Sequence, residues 1–189
     1  VKMGKEPTDV KLSVSAIGLE TGVIDINPTH DQIEKWIARV NCLAAACPDY
    51  GISLIDEEAR RLMIQEICLG AVCRKDLKSR AVRPVVRSWL TAAQRDLLDK
   101  QAPERIQLPS GFNAKVRYEA GQPPVVSATI QRLYDLEEVP KIAFGLLPVM
   151  VEALAPNQRP QQKTQDMRSF WQNAYPLLKK ELKGRYPKH

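Results

Sequence analysis

No run of eighteen apolar residues occurs in this chain, so no part of it reads as a membrane span. Histidine is scarce: His30 stands where a helix opens and His189 is the last residue. A nucleophile–histidine–acid set cannot be assembled from those two, which excludes an autonomous hydrolase of that type. There are four cysteines. Cys42 and Cys47 are five apart, as are Cys68 and Cys73. Zinc knuckles use gaps of two to four residues. On a helix five residues turn the chain by about 140°, so each pair points to different faces. No metal is expected. No charged-then-apolar leader is seen, and the thiols read as reduced and partly buried, in a reducing, cytoplasmic setting. Also absent are a GxxxxGK[ST] run, whose amides and lysine would cradle phosphates, and a DExH tetrapeptide, whose acids would organise Mg²⁺. Hydrolysis of a nucleoside triphosphate by this stretch alone is excluded, and it needs no cofactor of its own. Asp56, Glu57 and Glu58 do stand in a row. They precede an apolar helical pattern and are read as a helix start, where acids meet the positive end of the helix dipole.

What the chain does have is uneven charge. Its 28 Lys and Arg exceed its 22 Asp and Glu by six. The whole excess falls in Arg159–His189, where Arg159, Lys163, Arg168, Lys179, Lys180, Lys183, Arg185 and Lys188 face only Asp166 and Glu181. Residues 1–158 are balanced. A neutral body with a basic end suits a polyanion, because cations on phosphates release counterions. A solubilising terminus is the other reading of the same charge. A second basic cluster, Arg74, Lys75, Lys78, Arg80, Arg83 and Arg87 against Asp76, either lines an RNA path or forms a solvated face.

The pattern predicts an α+β chain in three parts. Over residues 1–28, Lys11–Glu20 and Thr21–Ile26 flank Gly18 and Gly22 and read as a β-hairpin. Residues 29–103 read as helical. Thr29-x-x-Gln32 resembles a capping box. Ile33, Trp36, Ile37, Val40, Leu43, Ala44 and Cys47 then form one apolar stripe, ended by Pro48-Asp49-Tyr50-Gly51. A second helix opens at Asp56, turns Ala59, Leu62, Met63 and Ile67 inward, and closes at Gly70. A third runs from Pro84 to Pro103 with Val86, Trp89, Leu90, Ala93, Leu97 and Leu98 aligned. Trp36 and Trp89 lie on stripes and are assigned to the core.

Residues 104–189 read as α+β. Ile106–Leu108 and Ala114–Tyr118 flank the Pro109-Ser110-Gly111 turn as a hairpin with one wet face. Val126, Ile130, Leu133 and Tyr134 recur at helical spacing and are read as a short helix, against the β-branched content of Val125–Ile130. Ile142–Phe144 and Val149–Leu154 bracket Gly145 and read as another hairpin. Thr164 is expected to cap a helix with Met167, Phe170, Trp171 and Ala174 on its inner face. Pro176 breaks or restarts that helix and Gly184 ends it. Leu177, Leu178 and Leu182 then anchor one side, while Lys179, Lys180 and Lys183 fall largely on the other. Trp171 is assigned mainly to the core. Tyr186, off the apolar stripe, is the better stacking candidate for a base. No RNP-type aromatic pattern and no KH-type loop is present, so sequence-specific readout is not expected.

Four stretches carry a resemblance. RPQQKTQD, then FW, then KELKGRYPKH resemble the C-terminal signature of the HrpB-type ATP-dependent RNA helicases, a bacterial DExH-box group. LPSGFNAKVRYEAGQPPV and VPKIAFGLLPVMVEALAPNQRP resemble upstream segments of that family, and the WIARV run from Trp36 to Val40 resembles a preceding helix. The match is specific from about Glu104 onward, looser from Pro28 to Pro103, and not evident before. The resemblance implies the C-terminal end of such a helicase, and a chain opening at Val1 fits a piece of something longer. In such enzymes an oligonucleotide-binding-like barrel precedes this region, and the hairpin of residues 1–28 is a possible remnant of it. By the same resemblance the whole protein uses ATP and Mg²⁺ to remodel RNA. This piece is then expected to touch single-stranded RNA non-specifically or to brace the motor domains of its own polypeptide. A protein-interaction module without RNA contact is the alternative. No membrane partner is expected.

Overall fold

A computed structural model describes residues 28–73, 76 and 80–185; the side chains of residues 28–31, Lys183 and Arg185 are outside that description. The hairpin expected before Pro28 and the Thr29 cap therefore lie outside the described residues, as do Arg74, Lys75, Lys78, Tyr186 and Lys188. Among the described residues no helix is long and apolar enough to cross a membrane.

The first helix, α1 (Pro28–Ala46), buries the stripe its spacing predicts: Ile37, Val40, Leu43 and Ala44, with Cys47 just beyond. Trp36 packs at the edge of the same core. A 3-10 turn, Pro48–Tyr50, ends it, and Gly51 supplies the left-handed residue at φ 66° that a side chain would strain. In α2 (Glu57–Cys68) the Asp56 carboxylate accepts from the Ala59 amide at 2.9 Å. The acid run is thus a helix cap, as its position predicts. Ala59 and Met63 are buried, but Leu62, expected inward, is half exposed.

The single third helix expected from Pro84 to Pro103 is two helices, α3 (Val82–Ser88) and α4 (Ala92–Gln101). Thr91 separates them with a capping box: its hydroxyl accepts from the Gln94 amide, and the Gln94 side chain accepts from the Thr91 amide at 2.9 Å. Val86, Leu90 and Leu98 stay buried across the break, so the periodicity carries no trace of it.

The rest is a five-stranded mixed sheet in the order β1-β2-β3-β6-β7, with a small separate hairpin β4-β5. The strands are β1 (Arg105–Gln107), β2 (Asn113–Arg117), β3 (Val125–Thr129), β4 (Lys141–Ile142), β5 (Leu147–Pro148), β6 (Met150–Leu154) and β7 (Pro160–Thr164). The β1–β2 hairpin is the predicted one. Val125–Thr129 is not a helix: it is a central strand running parallel to β6, and only Ile130–Leu133 winds, as a 3-10 turn. Nor do Ile142 and Val149–Leu154 pair with each other. Ile142 pairs with Leu147, and β6 lies between β3 and β7. Burial of β3 and β6 favours the β-branched reading, since strands inside a sheet read as continuous apolar runs.

After β7 the chain turns into α5 (Met167–Ser169), a π-helical stretch (Phe170–Ala174) and α6 (Tyr175–Arg185). Its cap is Asp166, not Thr164: the Asp166 carboxylate accepts from the Ser169 amide at 2.9 Å. Thr164 instead brackets the backbone of Asp166, accepting from its amide and donating to its carbonyl. Gly184 does not end the helix, which is described through Arg185. Ala114, Val116, Val126, Ala128, Val151 and Ala153 line the inner face of the sheet, in one core with Met167, Phe170 and the helical part. Arg39 ties the two parts together. Buried on α1, its guanidinium donates to the carbonyls of Ala102 and Leu98 and meets Asp99 at 2.7 Å and Glu104 at 3.3 Å.

Candidate nucleic-acid interface

Proline inside a helix lacks a donor and crowds the carbonyl four residues back. Pro176 is accommodated by a wider turn, in which the Tyr175 amide donates to Phe170, five residues back. The π stretch gathers rings on one side. Phe170 is buried, and Trp171 meets it edge-on at 4.9 Å between centroids. Tyr175 meets Trp171 edge-on at 5.1 Å. Such tilted contacts suit the ring quadrupoles. The Trp171 indole N–H donates to the Leu136 carbonyl at 2.9 Å. Trp171 is therefore an edge of the core, as its stripe position predicts.

Tyr134 completes the cluster from the loop after the 3-10 turn. Its ring lies 6.0 Å from Trp171 and 6.1 Å from Tyr175, and its hydroxyl is 3.2 Å from that of Tyr175. That hydroxyl contact, with burial adding to it, holds the Tyr134 phenol above its ordinary value. Tyr134 is 53% exposed. The Lys179 ammonium stands 5.8 Å from the Tyr175 ring centroid, within cation–π reach. Arg132 caps the Phe112 ring in the same way at 5.2 Å.

Of the basic residues predicted from sequence, Arg168, Lys179 and Lys180 are exposed on the C-terminal helix. Arg168 approaches Glu138 at 3.6 Å. Lys183 and Arg185 lie on the helix backbone beyond them. Arg159 and Lys163 are not part of this group. Arg159 is exposed in the turn between β6 and β7, and Lys163 projects from β7 on the outer side of the sheet, away from the helix. In the second cluster Arg80, Arg83 and Arg87 are exposed around α3. Asp76 there accepts from the amides of Val72 and Cys73, which hold its carboxyl below the ordinary range. Tyr134, Arg132 and Phe112 carry no functional signal in the sequence. Tyr134 continues the spacing of Ile130 and Leu133, so it reads as core.

The Cys42 thiol is pushed up to about 11 by burial and by nearby Cys47, which makes it inert. All four cysteines are free, and Cys73 is exposed. Among the described residues no group of three His, Cys, Asp or Glu side chains could hold a metal ion.

An α+β fold with a C-terminal helix of this kind is found in helicase C-terminal regions. The family described as "ATP-dependent helicase C-terminal", HrpB type, matches residues 64–189. The chain belongs to this family. It is 32% identical over 162 residues to the ATP-dependent RNA helicase HrpB of Escherichia coli K12, covering 84% of this chain and 20% of that protein. It superposes on the crystal structure of the E. coli DExH-box NTPase HrpB with a TM-score of 0.76 at 28% identity, covering 99% of this chain and 24% of that one. A second structure, the E. coli DEAH/RHA helicase HrpB, gives a TM-score of 0.66 at 26% identity, covering 100% of this chain and 24% of the other. The chain thus spans a fifth to a quarter of the length of these relatives, and corresponds to their C-terminal region.

Proposed function

We propose that this chain is the accessory C-terminal part of an ATP-driven RNA helicase, and that it holds single-stranded RNA without sequence preference. ATP and Mg²⁺ belong to the motor domains of such a protein, as does hydrolysis. The observation that carries the RNA reading is the Tyr134–Trp171–Tyr175 cluster with Lys179 over one ring and Arg168 and Lys180 exposed on the same helix. An exposed aromatic ring beside cations offers a base a stacking face and its phosphate a counter-charge.

The test is binding of fluorescent single-stranded RNA at about 50 and about 200 mM salt. Affinity should fall steeply between the two. Tyr134→Ala should cost about 1–3 kcal/mol, the worth of one stacked base. Lys179→Gln with Lys180→Gln should flatten the salt slope by about 1.4, at 0.7 per phosphate on a single strand. Wild-type affinity in both variants would remove this surface from the RNA path.

A second reading, docking onto the motor domains, is favoured by a different observation. Leu62, Leu69 and Val72 are apolar and exposed, Val72 by 94%, along and just beyond α2. Binding of no RNA at low salt, with these residues protected in the longer polypeptide, would favour it.

A further inference from the structure

The outer face of the sheet has no role in the core or in the aromatic site. Register partners share a face of a sheet, and alternate residues along a strand return to it. Arg105 lies opposite Lys115, Ser127 opposite Glu152, and Glu152 opposite Lys163. Arg117, two residues on from Lys115, belongs to the same face. Burial confirms the division: Asn113, Lys115 and Arg117 are exposed, while the alternating Ala114 and Val116 are buried. Four cations from β1, β2 and β7 therefore share this face with one strand acid, Glu152, which only Arg117 and Lys163 reach; Arg105 donates instead to the Asn113 carbonyl. Glu119, the next acid along β2, lies two residues past its end.

Glu152 is 5% exposed. Its Oε2 accepts from the Ser127 hydroxyl at 2.6 Å and from Arg117 at 2.8 Å, while Lys163 stands 3.6 Å from Oε1. Arg117 and Lys163 remain about half exposed. The acid fixes two long cations in place and cuts their mutual repulsion, without covering their outer N–H groups. The face keeps a net positive charge although residues 1–158 as a whole are neutral. Its other strand positions include the polar Gln107, Asn113, Ser127 and Thr129 and the apolar Val125, Met150 and Leu154, of which only Met150 is half exposed; no aromatic ring is among them. At about 4.8 Å per strand, β1 to β7 spans about 19 Å. That chemistry suits phosphates and sugar hydroxyls rather than bases.

We propose that this face is a second, base-independent contact for single-stranded RNA, carrying the phosphate backbone on Arg105, Lys115, Arg117 and Lys163, the last two held by Glu152. It rests on the RNA reading above and adds a separate site to it.

The experiment titrates the 189-residue chain with a fluorescent single-stranded RNA across a salt series. At 0.1 M salt each neutralised phosphate is worth about fivefold, from a slope of 0.7 per contact. Arg105→Gln with Lys115→Gln touches neither Glu152 nor the core. It should weaken binding by about 25-fold and flatten the slope by about 1.4. Glu152→Gln keeps an acceptor for Ser127 and removes the one negative charge, so it should tighten binding, by up to about fivefold. A gain of affinity cannot arise from unfolding. Wild-type affinity and slope in the Arg105/Lys115 variant, while the Lys179/Lys180 and Tyr134 variants lose binding, would overturn this site and leave the aromatic one standing. No binding by the wild type at low salt would overturn both.

Discussion

Arg39 has few ways to satisfy its charge other than those it uses. Its guanidinium is buried, its acids Asp99 and Glu104 are largely exposed, and two of its acceptors are main-chain carbonyls at the end of α4. Arg39→Leu would leave the Leu98 and Ala102 carbonyls without that donor, while the acids return to water. Urea unfolding should show a loss of about 3 kcal/mol. Glu152 makes a different prediction. Burial alone would raise its carboxyl, but the Ser127 hydroxyl and the charges of Arg117 and Lys163 outweigh it and hold it below the ordinary range. Its contribution to stability is therefore present above the unfolded value of about 4.3 and is lost as pH falls through the lower folded value. Between pH 5 and pH 3 the wild type should lose more thermal stability than Glu152→Gln. Equal losses would show that the carboxylate is not coupled to the fold. Of such residues the sequence discloses some and hides others. Asp56 is legible as a cap because capping is local. Glu152 is not, because Ser127 and Lys163 reach it only through strand pairing.

Elements divide along the same line. The α1 stripe and the β1–β2 hairpin are legible because their spacing and turn residues lie within one short window. The break at Thr91 is hidden because the stripe runs through it. β3 is misread because Val126, Ile130 and Leu133 also fit helical spacing, and its partner β6 is some twenty-five residues away. β7, Pro160–Thr164, has no apolar residue and so has no period to read. The helix cap is a direct test of one correction. Asp166→Ala removes the acceptor of the Ser169 amide and should cost about 1 kcal/mol, measured by thermal unfolding. No loss would return the capping role to Thr164. Trp171→Ala should cost about 3 kcal/mol, since it strips ring contacts and the indole bond to Leu136.

Across the whole molecule, the charge excess of the last thirty-one residues is legible in the sequence, but its division between surfaces is not. Folding puts Lys179 beside the rings, leaves Arg168 and Lys180 exposed on the same C-terminal helical stretch, and sends Lys163 to the outer side of the sheet. The salt slope of the wild type should therefore exceed what the helix lysines alone account for, and the two sets of variants should act additively. A slope abolished by the helix variants alone would mean a single surface.

The turn joining β4 to β5 has a mechanical consequence. Ala143, Phe144 and Gly145 are successively left-handed, a costly conformation for the first two. It is held because Gln101, at the end of α4, accepts from both the Ala143 and Phe144 amides, and because Phe144 stacks on Tyr50 at 4.4 Å. The clasp and the Arg39 bonds both join the helical part to the sheet, so neither part can open without breaking contacts that belong to the other. Under a pulling force, or in slow hydrogen exchange, helices and sheet should yield together in one step, so the two parts move as one rigid piece rather than as a jointed pair.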